Sequence, residues 1–523
     1  MCTGLLVACT VGVFVGLVGT ARDVDRSLAA FYDRTRFADL VVIGGDTEQF
    51  AADARAVRGV DAVTTRSTTT LSVWVDDGAT KVQGTIIGVP ATGPVIDALD
   101  VTSGRHFRRT STAPVAVVEQ HTASDLGIRP GDTIEALGLG GVQQLTVTGV
   151  ATSPEYLLPA QNQQQVVTTP GSFAVVYVPE AVAATLGGPA AVPQALVRYD
   201  AGAATDALDA RLTRLAARGR ADLVETRAGQ PSNGVIDEEH AGVVDAAIAL
   251  TGIAAILTVL VGALGAARVT EASARRRRLG AAVLAGTAAG LLAGAVGARI
   301  GTAQLAGAAG LTTHETSANV VVLVAAAALA AVIGALALGI AALDRGRGAI
   351  ASGTGPIVVT GIAAALAMVS ILAPAGIVDS AEATLDAAAD LVHTDATVAF
   401  ATPVSARELD ELRQVKDVAA AEPVPSAEIV VRRGTTRYAT ELQAYRADTT
   451  MQDFAAPAGT RIRLPAGGVL IPVALGEILD ARRGDEIEVT IPGGGVAPFR
   501  VPVAGFISNT LGNLVFLRIS TLR

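Results

Sequence analysis

Five long apolar runs constrain this chain more than any other feature. They cover residues 1–20, 242–268, 279–298, 320–343 and 356–378, and each is nearly free of charge. A bilayer core of about 30 Å needs about 20 helical residues, so each run predicts a transmembrane helix. Across all 523 residues half are hydrophobic and only 17% are charged, against about 25% in a soluble globular protein. That apolar content excludes a disordered chain. No heptad or Gly-X-Y period is sustained, which excludes a coiled coil and collagen. The class is an integral membrane protein, an α-helical bundle of about five helices carrying folded soluble parts.

Charge divides the chain into three regions. Residues 21–241 hold 26 Asp and Glu against 18 Lys and Arg, residues 242–377 hold 4 against 8, and residues 378–523 hold 19 against 14. Two acidic lobes therefore flank a basic, apolar centre. Neither lobe has the basic face of a nucleic-acid binder, so no nucleic-acid partner is expected. Arginines in short loops face the cytoplasm. Arg275, Arg276, Arg277 and Arg278 lie in the loop 269–278, and Arg345 and Arg347 in the loop 344–355. The connection 299–319 is expected outside. Alternation then places both lobes, 21–241 and 379–523, on the outer side of the cell membrane. In the third run Ala282, Gly286, Gly290, Gly294 and Ala298 recur every fourth residue, which predicts a face where helix backbones approach closely.

The two lobes resemble each other. Residues 38–43, 47–55 and 59–63 predict strand, helix and strand, and residues 394–399, 405–412 and 416–419 repeat that order. Two β-rich stretches follow in each copy, 71–75 with 82–88 and 428–431 with 438–443. Later, Arg129-Pro130-Gly131-Asp132 matches Arg482-Arg483-Gly484-Asp485 before a strand, a pairing suited to a tight turn. Lobe one closes with a strand at 195–199, a helix near 203–217 and a strand at 222–226. These would complete a split βαβ layer with the opening elements. Lobe two has no such ending before Arg523, so it is expected to be incomplete at its C-terminus.

Catalytic chemistry is not expected. Lys81 and Lys416 are the only lysines, and neither follows the glycines of a phosphate-binding loop. The five histidines are scattered without metal-ligand spacing, and no Gly-x-Ser-x-Gly elbow occurs. The sequence thus names no catalytic residue, no metal ligand and no cofactor. Cys2 and Cys9 both lie in the first apolar run, so no disulfide staples either lobe. Gly493-Gly494-Gly495 reads as a hairpin tip, and Trp74 as local packing.

One helix, an outer α+β lobe, three helices and then the same pattern again: this arrangement resembles the FtsX-like/MacB-like permease family of ABC transporters. The resemblance implies α+β extracytoplasmic domains of the MacB periplasmic core type, each a split βαβ part with an inserted β-rich part. It implies a non-enzymatic permease subunit that works with a separate cytoplasmic ATP-binding subunit. Such a subunit moves its outer lobes to export or extract a lipoprotein, peptide or antibiotic, in a homodimer or heterodimer of permeases. The alternative is a membrane scaffold that regulates cell-wall hydrolases without transport. Glu271, Arg275, Arg276, Arg277 and Arg278 correspond to the family's stretch that meets the ATPase, although the loop is shorter here. The same arginines would equally serve as an anchor on anionic membrane lipid.

Overall fold

The computed structural model describes residues 2–75, 80–157, 171, 173–227, 230, 272–308, parts of 322–335, 391–395, 405–434, 436–457, 459–492, 497–508 and 513–522. The chain divides into two units: residues 1–31 with 236–382, and residues 32–235 with 383–523. The second unit contains both lobes.

Helix α1 (Cys2–Thr35) does not stop at the expected end of the apolar run at residue 20. Residues 21–35 contain neither Gly nor Pro, so nothing local breaks the helix. Lobe one follows as β1 (Leu40–Ile43), α2 (Thr47–Ala54), β2 (Val60–Val75), β3 (Thr80–Val89), β4 (Asp100–Gly104) and β5 (Val115–Glu119). Then come α3 (Gln120–Asp125), β6 (Thr133–Gly138), β7 (Gly141–Thr152), β8 (Phe173–Pro179), α4 (Glu180–Gly187), β9 (Val192–Tyr199), α5 (Thr205–Arg218) and β10 (Leu223–Thr226).

These elements form two joined substructures. Strands β10, β1, β9 and β2 make an antiparallel sheet in that order. Helices α2 and α5 pack on it, burying Leu40, Val42, Phe50, Ala51, Val197 and Leu212 in one core. This is the split βαβ layer that the opening and closing segments predict. The rest is a barrel in the order β2-β3-β8-β5-β7-β6, closed where β6 returns to β2. Strand β2 serves both: Val60 to Thr68 pair with β9, and Thr68 to Val75 pair with β3. The sequence predicts two separate strands there, at 59–63 and 71–75. The intervening residues 64–70 are mostly β-branched threonines without Gly or Pro, so the strand continues through them.

In the first unit α6 (Ala272–Ala308) takes in most of the expected basic loop 269–278 and part of the expected outer connection. Arg275–Arg278 therefore lie on its first turns. Within it, Gly280–Gln304 is the one segment among the described residues that is long and apolar enough to cross a membrane. The runs 242–268 and 356–378 lie outside the described residues, and 320–343 is described only in part. Ala282 is half-buried, while Gly286, Gly290, Gly294 and Ala298 are buried. A Cβ on Gly290 would lie 2.6 Å from the Ala8 carbonyl oxygen, and one on Gly294 2.6 Å from Val15 Cβ. Thr20 donates its hydroxyl to the Ala298 carbonyl at 3.3 Å. The α1 and α6 backbones thus approach as closely as small residues permit.

Lobe two comprises α7 (Ala406–Arg413), β11 (Ser426–Arg433), β12 (Thr436–Tyr445), β13 (Phe454–Ala455) and β14 (Arg461–Ile462). It continues with β15 (Val469–Pro472), α8 (Val473–Ile478), β16 (Glu486–Thr490), β17 (Phe499–Ile507) and β18 (Val515–Arg518). Its barrel, β11-β12-β18-β15-β17-β16, repeats that of lobe one strand for strand. Even the parallel pairs correspond, β3–β8 with β12–β18 and β5–β7 with β15–β17. The Gly-Asp turns superpose bond for bond. Gly131 N donates to Val147 O and Gly484 N to Val503 O, both at 2.8 Å. Asp132 and Asp485 each accept from the amide three residues earlier.

The strand expected at 416–419 does not form. Its counterpart, the start of β2, is held by β9, and no returning strand of that kind occurs among the described residues of lobe two. A strand without a ladder partner leaves its backbone groups to water. The residues expected as a strand at 396–399, and the hairpin tip 493–495, lie outside the described residues.

Candidate functional site where α1 ends in lobe one

The last turn of α1 is built into lobe one by backbone and charge together. Arg36, in the left-handed region at φ 53°, ends the helix. Phe37 N then bonds back to Tyr32 O at 2.9 Å, and Ala98 N donates to Thr35 O at 2.7 Å. Phe37 is fully buried, with the Tyr32 ring 4.7 Å from its own and the Arg227 guanidinium 5.5 Å above it.

Two arginines clamp this exit. Arg198, on β9, donates to Phe37 O at 2.8 Å and to Asp33 Oδ1 at 2.9 Å. Arg227, just past β10, donates to Phe37 O at 3.0 Å and to Asp39 Oδ1 at 2.5 Å. Asp39 Oδ2 also accepts from Tyr199 N at 2.8 Å. Outside this pair, Arg34 binds Asp100 at 2.9 Å and Arg36 binds Asp61 at 2.7 Å. Exposed pairs of that kind contribute about 0–1 kcal/mol each. The Asp39 contacts are charge-assisted and largely shielded, so they weigh more.

Behind the clamp lies a buried ion pair. Arg66, on β2, is bidentate to Glu155 and donates from Nε to Gln194 Oε1 at 2.9 Å. Burial opposes the guanidinium charge, but the neighbouring acids, Glu155 foremost, together more than offset it and hold Arg66 above its ordinary pKa. Asp97, also buried, accepts from Ala38 N at 2.8 Å. Burial first, then the neighbouring Glu155, pushes its carboxyl up to about 8.

Lobe two meets lobe one close by. Arg437, on β12, donates to the Ala221 and Asp222 carbonyls at 2.8 and 3.1 Å. Glu225, on β10, is pushed up to about 8 by burial and by the carboxylates of Glu155 and of Glu428 from lobe two. Acidic groups of both lobes thus face one another beside the joint.

The residues singled out by sequence lie elsewhere. Glu271 is outside the described residues, and Arg277 is exposed on α6. His121 stands 2.8 Å from Glu119 and His393 3.0 Å from Asp453. Among the described residues no group of side chains could hold a metal ion. The joint itself was not legible in the sequence, because Arg66 and Glu155 are 89 positions apart. The one local hint is a lone arginine in the threonine-rich run 64–70.

Lobe one is a mixed α+β domain that follows the apolar helix α1 in the chain. Residues 3–215 match the family model described as the MacB-like periplasmic core domain. Solved structures are similar over part of its length. The extracellular domain of the noncanonic ABC-type transporter YknZ from Gram-positive bacteria is 19% identical, with 35% of this chain and 94% of that one covered and a TM-score of 0.25. The periplasmic region of MacB from Actinobacillus actinomycetemcomitans is 13% identical, covering 37% and 91%, also at 0.25. A domain of a permease protein from Porphyromonas gingivalis is 16% identical, covering 35% and 84%, at 0.22. Comparison with curated proteins finds no match.

Proposed function

We propose that the chain is a non-catalytic permease subunit that couples ATP hydrolysis by a separate cytoplasmic subunit to movement of its outer lobes. The movement exports or extracts a lipoprotein, peptide or antibiotic. The observation that carries this reading is the joint: the last turn of α1 is held to lobe one by Arg198 on Asp33, and the segment that follows it by Arg227 on Phe37 O and Asp39. A helix end held at several points passes rotation or tilt to the lobe, whereas a loose linker would absorb it. In this reading five helices cross the membrane with both lobes outside, and Arg275–Arg278 meet the ATP-binding subunit on the inner side.

The test uses the full chain and its ATP-binding subunit in lipid nanodiscs, with a fluorophore pair on the two lobes. ATP should change the distance between the labels, and Asp39→Ala should diminish that change while ATPase binding persists. Replacing Arg275–Arg278 by Ala should weaken co-purification of the ATP-binding subunit without affecting insertion. Labels that stay fixed through turnover would defeat the proposal.

A further inference from the structure

Asp97 occupies an unusual position between the joint and the buried ion pair. Its backbone holds the left-handed conformation at φ 53°, with its N–H donated to Arg36 O at 3.2 Å. Its Oδ1 accepts from Ala38 N. The other oxygen, Oδ2, is buried without a hydrogen-bond partner and lies 3.9 Å from Arg66 Nη1. Arg66 has already given its fork to Glu155. One carboxylate neutralises one guanidinium, so a second negative charge at Oδ2 would be in excess in a site closed to water.

We propose that Asp97 is a proton-operated latch that ties the end of α1 to the core of lobe one. With its proton the carboxyl fits the neutral gap and holds the Ala38 amide. Without it the charge draws Arg66 away from Glu155, and the segment 36–39 loosens. The groups facing Asp97 are Arg66 on β2, Glu155 beyond β7, Arg227 beyond β10 and the Ala38 amide. Tyr177 and Tyr156 stand beside Glu155, and Arg36 lies on the adjoining backbone. The latch rests on contacts within lobe one and stands whether or not the chain moves a substrate.

The sign follows from linkage. A closed site that holds its proton up to about pH 8, and an open one that releases it near the ordinary carboxylate value, together make opening easier as pH rises between those limits. The experiment is hydrogen exchange of the full chain in lipid nanodiscs, read on peptides covering residues 32–45 and 92–100 and corrected for intrinsic rates. Protection should fall about tenfold or more from pH 6 to pH 8 and level off above. Asp97→Asn keeps the Oδ1 acceptor but cannot ionise, so its profile should be flat. Should that variant fold poorly, Glu155→Gln removes the nearest negative charge and should move the wild-type midpoint down by about one pH unit. A pH-independent wild type, an Asp97→Asn profile like the wild type's, or an unmoved midpoint in Glu155→Gln would each overturn the latch.

Discussion

The two lobes share a barrel and differ in what surrounds it. In both, six strands close on themselves, so the barrel itself has no open edge. The helix that precedes each barrel fares differently. In lobe one α2 buries Phe50, Ala51 and Ala54 against the sheet and α5. In lobe two α7 has a complete capping box between Ser405 and Glu408, yet buries no residue. The same local signal gives a helix in both places, but only a returning strand-helix-strand gives it a core. A barrel is self-sufficient, whereas a split βαβ layer depends on segments far along the chain.

The sharpest way to break this contrast is at the buried charges. Arg66→Ala should cost lobe one about 3–5 kcal/mol, because it leaves Glu155 buried without its partner. Chemical denaturation followed at Trp74, the single tryptophan and a residue of the lobe-one barrel, reads the loss. Arg432→Ala, in the partly exposed pair with Glu488 of lobe two, should cost about 1 kcal/mol or less. Next, Leu212→Ala should remove about 2–5 kcal/mol from the α5 core. Leu412→Ala on α7 should stay within about 0.5 kcal/mol, judged by local hydrogen exchange.

Glu225 offers a pH test of the contact between lobes. Its folded carboxyl retains its proton up to about pH 8, above the unfolded value. Its contribution is therefore complete below the ordinary carboxylate range and is lost as pH rises toward 8. Glu225→Gln should flatten the decline in stability over that window, and an unchanged slope would assign the titration elsewhere.

Smaller again, Gly131→Ala and Gly484→Ala should each cost about 1–2 kcal/mol, since both glycines hold positive φ in the same turn. Equal costs in the two lobes would sharpen the equivalence of the barrels, and costs that differ widely would break it. The smallest effect belongs to Arg407→Ala, whose exposed pair with Glu411 on α7 should be worth less than about 0.5 kcal/mol.

Local chemistry by itself determined the apolar runs, the capped helices, the alternating strands and the repeated Gly-Asp turns, because each depends on residues a few positions apart. It also indicated that the closing segments 195–226 complete the first lobe's sheet. Only the tertiary structure decided that β2 runs unbroken through two substructures, and that 416–419 stays unpaired. It alone brought Arg66, Asp97, Glu155 and Arg227 to the end of α1. Strand continuation and charge pairing are settled by partners that folding delivers from distant parts of the chain, 89 positions away for Arg66 and Glu155 and 188 for Arg227 and Asp39. A buried arginine looks like any other until its carboxylate arrives.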